Sequence, residues 1–495
     1  MADGEDVGVS ALRSISEGAG LFLLGRAAKR GLGLLTNIVL TRGLGVSLYG
    51  MYSYFTIVAA LAQVFTRLGA DKSMLRYLPE YEDDIRMQNV MLTLACLTSV
   101  VASVTVAAIL YWFAPLVSRF TIDKPLFVNV IRVGAIALPF NTLSKTLLAV
   151  FKAIDRMDYN VATSSVAQPL FRLLFVGGAV VLGYSVVGAM AGFVVAGILT
   201  FLTALIILAD RTNLGIIEQP TRVEAKEYYD FSIPLTFNQL GSFFYNRIDL
   251  LMVGILLSSA AVGIYRVGIL VAGFLTLPLM AFNQLFPPVA SRLYQNGNIG
   301  ELKSVYAVVT RWIFTVSLFP GIAAILYSSE VLAVFGEDFS RGAFVLTLFT
   351  VAQLTNCLVG PGGYLLMMTD HQYLTMVNQL LSGGLNAILN YVLIVTFGLP
   401  GAAVATATVL SGINVARVLQ IWYLEGFFPY DRSYAKPLLS GAVSAGVMAS
   451  VSIFVSGYAL IIVGGGLGAG GFAAALAVFG LEEEEKDILR ELLPS

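Results

Sequence analysis

Along the chain, long apolar runs are broken at short intervals by polar or glycine-rich turns. Each run is long enough for a helix rising about 1.5 Å per residue to cross a hydrocarbon core about 30 Å thick. The pattern predicts fourteen spans, at about 18–41, 48–69, 88–114, 126–151, 158–183, 186–209, 230–257, 262–288, 304–328, 342–368, 373–397, 400–424, 435–455 and 457–480. The alternation over about ten residues that marks a membrane barrel strand is absent. The expected fold is therefore an all-α polytopic membrane protein. The longest connections, around 70–87 and 210–229, are too short for an independent domain. The tail 481-LEEEEKDILRELLPS-495 is charged and amphipathic, and is expected to be a solvated cytoplasmic helix.

Composition agrees: 57% of residues are hydrophobic, 12% are charged, and the mean hydropathy is +0.81. An ordinary soluble domain carries about 25% charged residues, so that class is excluded. The acidic start (Asp3, Glu5, Asp6) lacks the basic n-region of a signal peptide, so the first run is expected to remain as a transmembrane helix. With the N-terminus inside, the inner segments hold Arg13, Arg67, Lys72, Arg76, Arg86, Lys152, Arg156, Arg211, Arg222, Lys226, Arg292, Lys303, Arg432, Lys436, Lys486 and Arg490. The outer segments hold Arg42, Arg119, Lys124 and Arg341. This excess of inner cations predicts a multi-pass protein of the cell membrane with both termini in the cytoplasm.

The two halves resemble each other. Tyr49 in 46-VSLYGMY-52 and Tyr265 in 262-VGIYRVG-268 are 216 residues apart, as are Arg76 and Arg292. Asp155 and Asp370 are 215 apart, as are Ile198 and Ile413 in two Gly/Ala-rich segments. A near-constant offset across several spans predicts a duplicated six-span unit. An even span count gives both halves the same direction, so two parallel six-helix bundles around a central cavity are expected, followed by two further helices. The expected divisions are an N-terminal segment 1–17, a first bundle 18–209, a cytoplasmic linker 210–229, a second bundle 230–424, two additional helices within 425–480 and a tail 481–495.

The candidate chemistry is carried by charge where charge is costly. Arg26, Lys29 and Arg30 follow i, i+3, i+4 in the first span and so share one face, which Gly33 and Asn37 extend. Facing lipid, three cations would cost roughly 8–10 kcal/mol on insertion scales. They are expected to face a water-filled cavity and to bind an anion. Pairing with the few carboxylates, or snorkelling of Arg26 to the cytoplasmic end, is the alternative. At the 216-residue offset Ser242 matches Arg26 and Asn246 matches Arg30. There Asn238, Ser242, Asn246 and Asp249 follow i, i+4, i+8, i+11, predicting a polar face with one acid, and Arg247 lies close by. Lys145, and Arg172 with Gln168 and Pro169, add polar groups to the fourth and fifth spans. Asn378, Ser382, Asn386 and Asn390 form a stripe in the eleventh, read either as lumen or as interhelical hydrogen-bond glue. Arg132, Arg266 and Arg311 lie near span ends and are expected to snorkel. Cys96 and Cys357 read as small core residues, and His371 as a polar turn residue. No phosphate loop, HExxH or Cys/His cluster is present, so no cofactor or metal is expected, and no nucleic acid partner.

The runs 42-RGLGVSLYGMYSYFTIV-58 and 247-RIDLLMVGILLSSAAVGIYRVG-268, with fourteen spans, resemble the polysaccharide-biosynthesis flippases of the multidrug/oligosaccharidyl-lipid/polysaccharide exporter superfamily. The resemblance implies two bundles around a V-shaped cavity, with first-helix cations contacting the phosphate of a lipid-linked sugar. Here that role falls to Arg26, Lys29 and Arg30, with Lys145, Arg172 and Arg247 as further candidates. It implies a transporter that moves a lipid-linked oligosaccharide from the inner to the outer leaflet by alternating access. The lipid bilayer and the lipid-linked glycan are its expected partners, and glycan-assembly enzymes are further candidates. The rival within the superfamily is a cation-coupled drug exporter, which needs an intramembrane carboxylate; only Asp249 offers one. A membrane glycan polymerase or ligase would need a large outer loop, and the outer loops are short.

Overall fold

The computed structural model describes residues 25–216 and 218–479 with their side chains, and the backbone of residues 2–24 as part of the first helix. The predicted tail helix 481–495 and the acidic N-terminal side chains lie outside the fully described residues. The chain forms two compact units that divide between Gly263 and Ile264.

In the first unit, α1 spans Ala2–Arg67 and is interrupted at Gly45, whose φ of 71° and ψ of 175° are not helical. A glycine takes that φ without a Cβ penalty. The 43 residues from Gly25 to Arg67 would measure about 65 Å as one rod, twice a bilayer core. The break at Gly45 therefore divides α1 into the first and second predicted spans. Next come α2 (Ala70–Glu80), α3 (Ile85–Trp112), α4 (Ala114–Arg119), α5 (Pro125–Ala135) and α6 (Ala137–Ala153), with α5 and α6 bent by 42°. The fifth span is built of α7 (Met157–Val161), α8 (Gln168–Phe171) and α9 (Gly178–Val181), joined through π-helical turns at Ala162–Ala167 and Arg172–Gly177. Pro169 lies between those turns. It lacks an N–H, and its ring crowds the carbonyl one turn back, so the regular α ladder cannot run through. The unit continues with α10 (Val186–Arg211) and α11 (Arg222–Leu256). The Thr221 hydroxyl and the Glu224 carboxylate cap α11 reciprocally.

The chain divides within α12 (Ser259–Gly273), and the second unit holds α13 (Leu277–Gln295), α14 (Ile299–Leu326), α15 (Ser328–Ala333), α16 (Ala343–Val359), α17 (Gly362–Met368), α18 (Gln372–Phe397), α19 (Leu399–Glu425), α20 (Ala435–Val451) and α21 (Tyr458–Phe479). Among the described residues ten segments are long and apolar enough to cross a membrane, or eleven with the bent α5–α6 pair. The other predicted spans fall on the second half of α1 and on two helices that do not meet that measure, the polar-rich α11 and the 17-residue α20.

The duplication is visible in the elements. α3 and α14 are each 28 residues long, and α4 and α15 each six. Asp155 and Asp370 both take a left-handed φ, 56° and 63°, at corresponding turns. Gly183 and Gly398 do the same at the turns before α10 and α19, with φ of 84° and 65°. Tyr49 and Tyr265 are both fully buried.

Packing does not follow the repeat boundary. The sequence assigns residues 230–257 to the second bundle, yet α11 belongs to the first compact unit. The Tyr77 and Tyr81 hydroxyls donate to the backbone carbonyl and carboxylate of Glu227, at 3.0 and 2.9 Å. Arg86 pairs with Glu224 at 3.0 Å. Further along, the ring of Tyr54 lies where a Cβ on Gly254 would stand. At the start of α12 the backbones touch: a Cβ on Gly50 would fall 1.7 Å from the Ser259 carbonyl oxygen, and one on Gly263 would fall 2.4 Å from that of Val46. Such small-residue contacts are how membrane helices approach without side chains between them.

In the second unit the asparagine stripe of α18 is buried and acts as glue. Asn378 and Gln420 exchange amide hydrogen bonds of 2.7 and 3.0 Å. Asn390 donates to the Asn386 side-chain oxygen at 2.7 Å and to Thr406 at 3.3 Å. Arg311 does not snorkel. Its side chain is 6% exposed; it donates to the Ser433 hydroxyl and lies 3.8 Å from Asp431, so the segment before α20 provides its partners. Cys96 and Cys357 are buried thiols. His371 has a carboxylate neighbour, Glu425, at 3.3 Å.

Candidate substrate site

The cationic turn of α1 is placed by Gly25. A Cβ there would lie 2.5 Å from Val161 and 3.2 Å from Ser165, so α1 runs against the fifth span with almost no side-chain spacing. One residue later the cations begin. Arg26 and Arg30 are half-buried and Lys29 is exposed. The charges of Arg172, Lys152 and Arg26 act on Lys29. Lys145, on α6, is also exposed, and the charges of Arg67, Arg172, Asp71 and Lys29 act on it. α1, α6 and the fifth span therefore bring their predicted cations into one interacting set within the first unit.

Arg172 is oriented by aromatic rings. Its guanidinium lies 5.0 Å from the centre of the Phe193 ring, which Tyr52 meets edge-on at 6.3 Å. A cation over a ring face is held electrostatically, at roughly 0.5–2 kcal/mol. Among the described residues, the ion pairs include no partner for Lys29, Lys145 or Arg172. Three cations inside the spans without a carboxylate partner favour an anion as the missing one.

The other predicted residues separate from this set. Asn37 donates to the Gly33 carbonyl and accepts from the Tyr49 hydroxyl, both at 2.7 Å, so its amide shapes α1. On α11, Asn238, Ser242, Asn246 and Arg247 are exposed, and Asn246 donates to the Ser242 carbonyl at 2.7 Å. Asp249 does not share their setting. It is 6% exposed and accepts from the Leu250 amide at 2.8 Å. The helical spacing is sound, but the surroundings change along α11: from Asp249 to Gly254 it enters the packed side of the unit, with Leu250, Leu251 and Val253 buried.

Four residues of the neighbourhood escape a search for intramembrane charge. Lys152, Arg67 and Asp71 sit at or beyond predicted span ends, and Gln239 is an uncharged residue between the α11 positions singled out. The Arg67–Asp71 spacing of i, i+4 is the one local signal for them. No group of three or more His, Cys, Asp or Glu side chains suited to a metal occurs among the described residues.

A many-spanned helical protein with a group of cations inside its spans has the construction of a membrane transporter. Residues 15–293 match the family model for polysaccharide biosynthesis proteins, and the chain belongs to that family. It is similar to two proteins of Haloferax volcanii. One is the probable low-salt glycan biosynthesis flippase Agl15, 26% identical over 254 residues, covering 50% of this chain and 52% of that protein. The alignment thus spans about half of that relative. The other is the probable flippase AglR, 25% identical over 439 residues, 86% of each chain. Among solved structures, the lipid II flippase MurJ in an inward closed conformation superposes with a TM-score of 0.70 at 14% identity, covering 95% of this chain and all of that one. An inward-facing multidrug resistance MATE family transporter gives 0.61 at 16%, covering 80% and 94%. At such identities these structures show a shared fold.

Proposed function

We propose that this protein is a flippase that moves a lipid-linked oligosaccharide from the inner to the outer leaflet of the cell membrane by alternating access, with both termini in the cytoplasm. The carrying observation is that Lys29, Lys145 and Arg172, three cations inside predicted spans of the first unit, have no carboxylate partner among the described ion pairs. The lipid (pyro)phosphate docks on these cations together with Arg26 and Arg30, through charge-assisted hydrogen bonds. The glycan remains in polar surroundings and the lipid tail remains in the bilayer. Enzymes that assemble the glycan at the cytoplasmic face would supply the substrate. The probable-flippase names of the two relatives support the same reading. Drug export coupled to a cation is less well supported, because Asp249 is buried and does not line open space.

The test is leaflet transfer of a fluorescent polyprenyl diphosphate disaccharide in phosphatidylcholine proteoliposomes, with the monophosphate lipid in parallel. Native protein is compared with an Arg26→Gln/Lys29→Gln/Arg30→Gln variant that inserts equally well. Transfer by the native protein and its loss in the variant are expected. Transfer of neither lipid by folded native protein would refute the reading.

A further inference from the structure

Where α1 ends, the backbone is held in a conformation that side chains avoid. Leu68 has a φ of 43° and Gly69 a φ of 76°. A left-handed non-glycine residue costs roughly 1–3 kcal/mol and persists only where its surroundings enforce it. Here they do: a Cβ on Gly69 would fall 2.2 Å from the Ser232 carbonyl oxygen of α11, so the turn is pressed against that helix. The turn returns the chain so that α2 starts beside the end of α1, with Asp71 against Arg67. The Arg67 Nη1 lies 2.9 Å from one carboxylate oxygen of Asp71, and Gln239 of α11 donates to the other at 3.2 Å. The Arg67 Nε donates to the Gln63 carbonyl at 3.0 Å. Both charged side chains are largely enclosed, at 16% and 17% exposure. The Gln63 side-chain oxygen is buried in the same turn without a hydrogen-bond partner.

This ion pair borders the cation set: the hydroxyl of Thr66, the residue before Arg67, lies 2.7 Å from that of Thr142, which precedes Lys145 by one turn on α6. We infer that Asp71 is a positioning residue of the substrate site, an internal carboxylate that occupies Arg67 and so sets the affinity for the substrate phosphate. The inference rests on the flippase reading. A phosphate offers several charged oxygens and suits a guanidinium's fork, so it competes with Asp71 for Arg67. When it wins, Asp71 keeps Gln239 as its donor. When the phosphate leaves, Asp71 recovers Arg67. The carboxylate thus weakens binding and assists release.

The experiment measures KM and kcat for transfer of the fluorescent polyprenyl diphosphate disaccharide. In Asp71→Asn the amide oxygen still accepts from Gln239, but the charge competing for Arg67 is gone. KM should fall about fivefold, the upper range for a single partly screened ion pair, with no rise in kcat. Asp71→Glu, which restores the charge, should return KM toward the native value. A structural role alone lowers the folded fraction and does not lower KM. Should Asp71→Asn fail to fold, Gln239→Leu carries the test: it leaves Asp71 with Arg67 as sole partner, and KM should rise. An unchanged or raised KM in folded Asp71→Asn, or an unchanged KM in Gln239→Leu, overturns the inference and leaves the flippase reading intact. No transfer by native protein overturns both.

Discussion

Replacing Lys145 with methionine should make the protein more stable and less active. The two side chains have similar apolar stems, so packing changes little. The charge is what changes. A lysine at the centre of a membrane helix costs roughly 2.5–3.5 kcal/mol on insertion scales. Lys145 is exposed, so solvent repays most of that cost, and about 1 kcal/mol is a reasonable net burden after screening. The nearby positive charges of Arg67, Arg172 and Lys29 add to it, and Asp71 offsets part of it. Lys145→Met should therefore melt at a higher temperature in detergent, corresponding to a gain of about 1 kcal/mol. Transfer of the polyprenyl diphosphate disaccharide should fall at least about tenfold, the equivalent of one charge-assisted hydrogen bond. A lower melting temperature would mean that Lys145 supports the fold. Unchanged transfer in a stabilised variant would remove Lys145 from the site.

Two further predictions concern the frame around the site. Asn378→Leu leaves the Gln420 amide without its partner and should cost about 0.6–1.7 kcal/mol, while Asn378→Leu/Gln420→Leu should recover part of that loss in a thermal double-mutant cycle; purely additive losses would show that the two amides are not coupled. The backbone N–H of Thr221, with Arg86 assisting, holds the Glu224 carboxyl below its usual range. A depressed carboxyl stabilises the fold above its unfolded pKa, about 4.3, and that contribution is lost as pH falls through the folded value. Amides at the start of α11 should therefore exchange relatively faster at pH 3 than at pH 7 after correction for intrinsic rates; Glu224→Gln should abolish this response, and an equal response in both proteins would refute the assignment.

The all-helical, many-spanned fold was legible because bilayer thickness and helix rise leave little freedom to a run of apolar residues. The first-half cations were legible for a related reason. Arg26, Lys29, Lys145 and Arg172 stand out because charge inside an apolar segment needs a justification that charge in a loop does not. What was hidden depends on tertiary surroundings. The i, i+11 spacing could not show that α11 becomes enclosed between Asn246 and Asp249. Nor could the repeat show that α11 packs on α2 and α3, because those contacts run through Tyr77, Tyr81 and Arg86, which carry no periodic signal. Arg311 was misread because a position near a span end says nothing about a distant Asp431.

The divergence of the two repeats has a physical logic. In the second unit, several buried polar side chains engage one another. Asn378 engages Gln420, and Asn386, Asn390 and Thr406 form a connected set joined by Tyr265. Such a network stiffens helix contacts and leaves little for a ligand to take. In the first unit, Lys29, Lys145 and Arg172 remain without carboxylate partners in the described ion pairs, and the nearby Asp71 is already engaged by Arg67 and Gln239. A network that satisfies itself serves as frame, whereas one left with excess charge of a single sign stores a demand for an ion. Duplication supplied two copies of one helical unit. A hydroxyl at Ser242 and an amide at Asn246, opposite Arg26 and Arg30 in the repeat, leave those second-copy positions neutral. In the proposed function, an anionic substrate then leaves the first-unit cations without meeting matching charges at those two repeat positions.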